Sequence, residues 1–292
     1  MSVDLGTAWW EYVGVVDGFA LLTHYIQHKS RWIDLRTWPA KVGLSLDEWT
    51  RSVARARDGR IASLVGWRAQ SVMVQDGHGK QRTELKLPFK KYGFRAVGFV
   101  GERVVVIPGH LGHDNHASPL HHAAAPLVHD GKKFVPMTGG EPGPDPTQSA
   151  IVALLDGPDR LIWEGRVYDV DGDSLAAICD LPKTHPNFRS DFVPLDGARF
   201  ACAAGGRIAI VDTAVTTKPI GKAQVITVRA CEDALLATTL GPYRHHRYDP
   251  EAGAHELLDF GTPTEDMPVV FAAPCGLISF AEENKQLVRL RV

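Results

Sequence analysis

The 292-residue chain sets 32 basic against 34 acidic side chains, a formal net charge of −2, and 44% of its residues are apolar. That balance excludes a disordered chain, and it removes any global field that would gather nucleic acid or an anionic membrane around the protein. No window approaches eighteen consecutive apolar residues, so no membrane-spanning helix is predicted.

The first residues, MSVDLGTAWW, hold neither a basic segment nor an apolar run of signal-peptide length, so a cytoplasmic chain is expected. From there a unit recurs: a short apolar run, a turn rich in Asp, Gly or Glu, and a second apolar run. In chain order the units are EYVGVVDGFALLT, TRSVARARDGRIASLV, FRAVGFVGERVVVI, AIVALLDGPDRLIW, DFVPLDGARFACA, ITVRACEDALLATT and VVFAAPCGLISF. Their turns fall near Asp17, Asp58, Gly101, Asp156, Asp196, Glu232 and Cys275, at successive spacings of 41, 43, 55, 40, 36 and 43 residues. Such runs closed by DG-type pairs predict antiparallel hairpins, because the turn needs positive φ at its centre. Many units continue with a third run, such as RWIDLRT, RVYDVDG or QLVRLRV, and several with a fourth, such as TELKLPF or LAAICDLP.

Four short strands every 40 to 45 residues are what a β-propeller blade requires, since one blade buries its two faces only against its neighbours. In period and pattern the chain resembles the seven-bladed propellers of the WD40 and YVTN-like superfamily over essentially its whole length. It lacks their repeated WD and GH dipeptides. The predicted fold is therefore all-β, one seven-bladed propeller over residues 1–292, and the resemblance implies a binding platform. The last unit has only three runs, so Ser2 to Thr7 are predicted to supply its outer strand. Between the first two units, Ser45 and Glu48 form a capping box. A helical turn is predicted at Ser45–Trp49 and a strand at Arg51–Arg55.

The stretch from Gly109 to Gly131 holds His110, His113, His116, His121, His122 and His129, and it accounts for the 55-residue interval. It is placed as the connection between the second and third strands of blade three. PFKKYG (88–93), TGGEPGPDPTQ (138–148) and PKTHPNFRS (182–190) join blades and share that rim. His110, His113 and His116 with Asp114 have the ligand types for zinc or another divalent metal, although Gly109, Gly112 and Pro119 speak against the helix that would bring them together. His121, His122 and His129 are read as structural or exposed. His245 and His246 lie on a strand and point to opposite faces.

No GxSxG elbow, CxxC pair or phosphate-binding glycine loop is present, and AAGGRIAI reads as a hairpin turn. The four cysteines read as reduced, buried small hydrophobes. The inner runs VGVV, VALL and VVFAA leave a channel-lining set of carboxylates hard to assemble. The favoured reading is thus a non-catalytic scaffold without a cofactor. It binds a protein partner through a rim containing Lys90, Lys91, Tyr92, His110, His113, His116, His185 and Arg189. Binding to nucleic acid or membrane is not expected. The alternative is a metal-dependent hydrolase or lactonase-like enzyme using the His110–His129 loop, with His110, His113, Asp114 and His116 as ligands.

Overall fold

In the structure, a computed structural model, all residues are described except 1, 8, 25, 47, 67–70, 78–81, 89–92, 109–124, 146–147, 155–156, 185–190, 261–268, 282–284 and 291–292. After β1 (Ser2–Asp4), blade one comprises β2 (Trp10–Val16), β3 (Phe19–His24), β4 (Lys29–Asp34) and β5 (Lys41–Leu46). Blade two comprises β6 (Thr50–Arg55), β7 (Arg60–Val65), β8 (Ser71–Asp76) and β9 (Arg82–Lys86). Blade three follows with β10 (Phe94–Val100), β11 (Arg103–Pro108), β12 (Leu127–His129) and β13 (Phe134–Pro136), and blade four with β14 (Ala150–Val152), β15 (Arg160–Trp163), β16 (Arg166–Asp171) and β17 (Ser174–Asp180). Blade five holds β18 (Val193–Pro194), β19 (Phe200–Ala204), β20 (Arg207–Val211) and β21 (Val215–Lys218). Blade six holds β22 (Val225–Cys231), β23 (Ala234–Thr239), β24 (Arg244–Tyr248) and β25 (His255–Leu257), and blade seven β26 (Val270–Ala273), β27 (Gly276–Ala281) and β28 (Gln286–Arg289). The result is a seven-bladed β-propeller of four-stranded antiparallel sheets. No helix occurs among the described residues.

The turn chemistry behaves as the sequence predicts. Asp17 and Gly18 both take positive φ (52° and 77°), as do Gly205 and Gly206 (59° and 72°), the geometry a two-residue hairpin needs. The ring closes through β1, which pairs antiparallel with β28 in the register Ser2↔Val288, Val3↔Leu287 and Asp4↔Gln286. Leu5 continues the pairing, its N–H donating to the Lys285 carbonyl at 2.9 Å.

Apolar cores lie between blades, one at each of the seven interfaces. The interface of blades seven and one unites Val3, Leu5, Trp10, Phe271 and Leu287, so the strand supplied by the N-terminal segment is buried in the closing contact. Cys202 sits in the core between blades four and five, where burial pushes its thiol up to about 12, making it an inert small hydrophobe.

The capping box of Ser45 and Glu48 does not nucleate a helix. Ser45 lies in β5 opposite Arg31, whose Nε donates to the Ser45 hydroxyl at 3.4 Å. With β6 beginning at Thr50, no room is left for a helical turn, and covering the outer edge of β4 outweighs the local capping preference. The strand expected at Arg51–Arg55 is present as β6. The Pro- and Gly-rich segment after β13 joins blade three to blade four and packs along the latter. Thr138 bridges to Ser174, and at Gly143 an added Cβ would lie 2.4 Å from the Arg166 nitrogen, so only glycine permits this approach.

Antiparallel order assigns the loops to two faces. Connections between blades and second-to-third-strand turns share one face, here the upper, and the remaining hairpin turns form the lower. On the lower face arginines link neighbouring turns: Arg55 to Asp17 at 2.8 Å, Arg199 to Glu251 at 2.6 Å, and Arg103 to Asp173. Each exposed pair contributes about 0–1 kcal/mol.

Candidate functional site

All seven inner strands, or the residues leading into them, line a central cavity of about 680 Å³ that opens toward the upper face. Most of its residues lie on the inner strands or just before them, and local backbone irregularities set the direction of two of them. β6 pairs Thr50 with Val65 and Ser52 with Leu64, leaving Arg51 as a bulge; β10 likewise pairs Phe94 with Pro108 and Ala96 with Ile107, leaving Arg95. A bulge re-aims one side chain without ending the strand. In blades two and three the re-aimed residue is an arginine lining the cavity mouth.

Deeper in the channel Tyr12, Asp191 and Arg229 come together from blades one, five and six. The Arg229 guanidinium lies 5.4 Å from the Tyr12 ring centre and 3.9 Å from the Asp191 carboxylate, and it donates to Thr227 Oγ1 at 3.0 Å. Tyr12 stacks on Phe271 at 4.7 Å. The Asp191 side chain is 40% exposed, yet protein surrounds it, because the surface that reaches it is the channel itself. Burial raises the Asp191 carboxyl above the usual carboxylate range against the opposing pull of Arg229, and burial together with Asp191 raises the Tyr12 phenol. The channel therefore presents a cationic mouth above a buried acid, phenol and guanidinium.

The upper face of blade one adjoins this mouth. Trp9 precedes β2, has φ 71° and is 54% exposed, while Ile26, in the turn from β3 to β4, is 62% exposed. Positive φ in a bulky residue costs about 1–3 kcal/mol. Beneath them, His24 organises the turn: its Nδ1 accepts the N–H of Ile26 at 3.2 Å and of Gln27 at 3.1 Å, while its ring meets Trp10 edge-on at 5.1 Å. Trp49, between β5 and β6, is covered by His28 at 5.0 Å and Arg51 at 4.8 Å. Tryptophan, isoleucine and arginine thus share one exposed corner.

The accepting role of Nδ1 requires a neutral imidazole, and burial holds the His24 pKa below its ordinary value; burial does the same at His246. A depressed folded pKa means that the stabilisation is full above the unfolded value of about 6.5 and is lost as pH falls through the folded value. Urea midpoints are accordingly expected to be level at and above neutrality and to decline on acidification below about 6.5. In His24→Asn, whose Oδ1 can accept the same two amides, the decline should be shallower; an unchanged slope would contradict this role.

The rim residues named from sequence, Lys90, Lys91, Tyr92, His110, His113, Asp114, His116, His185 and Arg189, lie outside the described residues. The described ends of their segments, at Pro88 and Gly93, Pro108 and Ala125, and Thr184 and Asp191, belong to upper-face connections. His129 ends β12, its ring 5.0 Å from Phe134 and its Nδ1 accepting the Gly131 N–H, a turn role. His245 and His246 are both buried, the first 3.1 Å from Thr238 Oγ1 and the second beside His255. Among the described residues no group of three or more His, Cys, Asp or Glu is placed to hold a metal.

The inner strands are mostly apolar, as read from the sequence, but charged side chains accompany them in the channel. The channel is lined by Glu11, Arg51, Arg95, Asp191 and Arg229 as well as apolar side chains. VGVV lies within β2 and VALL begins only at the last residue of β14, whereas Glu11, Arg51 and Arg95 each stand second in their strand, Asp191 precedes β18 and Arg229 is fifth in β22. A charged residue recurring at that second position across successive repeats was the available signal.

No family model matches the chain, and no curated protein matches it in sequence. Solved structures do match over nearly full length. Virginiamycin B lyase from Staphylococcus aureus is 12% identical with a TM-score of 0.68, covering 100% of this chain and 98% of that one. The β-propeller domain of Cps50 (Swd1) from Myceliophteria thermophila is 12% identical with a TM-score of 0.62, covering 98% of each chain. YCF48 from Cyanidioschyzon merolae is 10% identical with a TM-score of 0.61, covering 100% of this chain and 98% of that one. At such identities the likeness is one of fold.

Proposed function

We propose that the chain is a non-catalytic propeller scaffold that binds a protein partner across its upper face, in the cytoplasmic setting expected from the sequence. Trp9, Ile26 and Arg51 form the centre of the interface, and the rim residues Lys90, Lys91, Tyr92, His110, His113, His116, His185 and Arg189 surround it. The observation that carries this reading is Trp9, an exposed indole held at positive φ next to Trp10, which lines the channel. Backbone strain retained beneath an exposed aromatic side chain is the pattern of a functional position, and tryptophan with arginine is the usual composition of an interface hot spot. The lower face supports the same choice, because several of its arginines already bind neighbouring turns. The metal-dependent hydrolase reading rests on His110, His113, Asp114 and His116, and no observation among the described residues favours it.

The test separates binding from folding. Trp9→Gly removes the indole and relieves the backbone, so its urea midpoint is expected to equal or exceed that of the parent chain. Affinity capture from native extract should lose the stoichiometric partner with Trp9→Gly and with Ile26→Ser, by about tenfold or more. Undiminished capture by both variants, or no stoichiometric partner alongside measurable turnover of a substrate, would overturn the proposal.

A further inference from the structure

We infer a second binding site, at the top of blade five, for a small molecule carrying a diphosphate or triphosphate group. Three upper-face elements converge there: residues 181–184 between blades four and five, the Gly205–Gly206 turn, and residues 219–224 between blades five and six. They border an open pocket of about 580 Å³. That is the size of a small-molecule site.

Its charge is one-sided. Lys183, Arg207 and Lys222 all line the pocket, and among the described residues no carboxylate does. Among the described residues none of the three side chains has an ion-pair or hydrogen-bond partner, unlike the lower-face arginines. Asp145, which contacts the pocket residue Thr184, accepts its N–H at 2.8 Å and its hydroxyl at 3.3 Å, and accepts from Gln148 Nε2 at 2.9 Å. All three basic side chains are exposed around one pocket, and like charges gathered there repel each other and are relieved by an anion. A planar guanidinium flanked by two ammonium groups suits several phosphate oxygens at once better than it suits a single carboxylate.

The frame is built before any ligand arrives. Gly205 donates to the Lys183 carbonyl at 2.9 Å, and the Gly206 carbonyl accepts from Val225 at 2.9 Å, so the turn is tied to both flanking connections. An added Cβ at Gly205 would lie 3.0 Å from Pro182, and one at Gly206 3.1 Å from Gln224. The two glycines satisfy the hairpin turn and also let the pocket walls close on it. Ala223 donates to the Ile220 carbonyl at 3.1 Å, fixing the turn that carries Lys222. Binding to such a site pays little ordering entropy.

The site shares the upper face with the proposed protein interface, and Thr184 borders both the pocket and the channel, but the inference does not rest on that reading. Titration calorimetry at constant ionic strength would use sodium tripolyphosphate and a nucleoside triphosphate, with sulfate as the comparison ion. Saturable one-to-one binding of tripolyphosphate is expected, with sulfate far weaker. Arg207→Gln and Lys222→Gln should each weaken binding about tenfold, the loss of one charge-assisted hydrogen bond. Equal affinity for the two triphosphates assigns recognition to the phosphates alone; tighter nucleoside binding adds a role for the Pro219 and Ala223 wall. Absence of saturable binding would overturn the inference. So would binding retained in the double variant, or binding lost in Arg51→Gln and Arg95→Gln instead, which would move the site to the channel.

Discussion

Deleting residues 2–6 is expected to destabilise the whole ring and to make the chain self-associate. The segment supplies the outer strand of blade seven, and Val3 and Leu5 are buried with Trp10, Phe271 and Leu287 in the closing core. Leu5→Ala alone should cost about 2–5 kcal/mol, the usual loss for a truncated core leucine. Against a total stability of about 5–15 kcal/mol, that is a large share. Deletion adds the loss of the β1–β28 pairing and leaves β28 as an unprotected edge. Arg31 would also lose the Leu5 carbonyl to which it donates at 3.2 Å while lying over Trp10. Urea unfolding followed by tryptophan fluorescence, together with size-exclusion chromatography, measures both effects. A midpoint equal to that of the parent chain would mean that β1 does not close the ring in solution.

The second large effect is expected at Gly98, in the inner strand of blade three. An added Cβ would lie 2.5 Å from Cβ of Ile151 in the neighbouring inner strand, and 3.0 and 3.1 Å from its two γ carbons. A real Cβ does not tolerate such distances, so Gly98→Ala must push blades three and four apart at the axis. Overpacking of this kind costs about 1–3 kcal/mol, which outweighs any gain from replacing glycine within a strand. Because the closest atom is Ile151's own Cβ, adding Ile151→Ala should not restore stability, whereas adding Ile151→Gly should reduce the penalty of the alanine. A double-mutant cycle over these variants gives the coupling directly. If Gly98→Ala proves neutral, the inner strands are not packed as closely as described.

The architecture was legible because its signals are local and repeated. Asp17-Gly18 and Gly205-Gly206 are turn pairs whose φ requirement can be read from residue type, and a last unit with three runs implied that Ser2 to Thr7 close it, as β1 does over Ser2–Asp4. Ser45 and Glu48 misled for the complementary reason: a capping box states a local preference, and strand pairing with Arg31 outweighs it. The channel was less legible. Glu11, Arg51, Arg95, Asp191 and Arg229 form no contiguous motif, being brought together by the ring from different repeats. That Arg51 and Arg95 line the mouth depends on one-residue bulges, which alternation of apolar and polar residues does not encode. Trp9 was hidden likewise, since nothing in a tryptophan's residue type announces a positive φ.

The central claim is that the upper face of blade one, together with the channel mouth, is where a protein partner docks. Hydrogen–deuterium exchange of the captured complex against the free chain tests it most directly. The account predicts slowed exchange in the connection carrying Trp9, the turn carrying Ile26 and the start of β6 around Arg51, with the lower-face turns at Asp17, Asp58 and Gly101 unchanged. Protection confined to those lower-face turns, with the upper face of blade one exchanging as in the free chain, would contradict it.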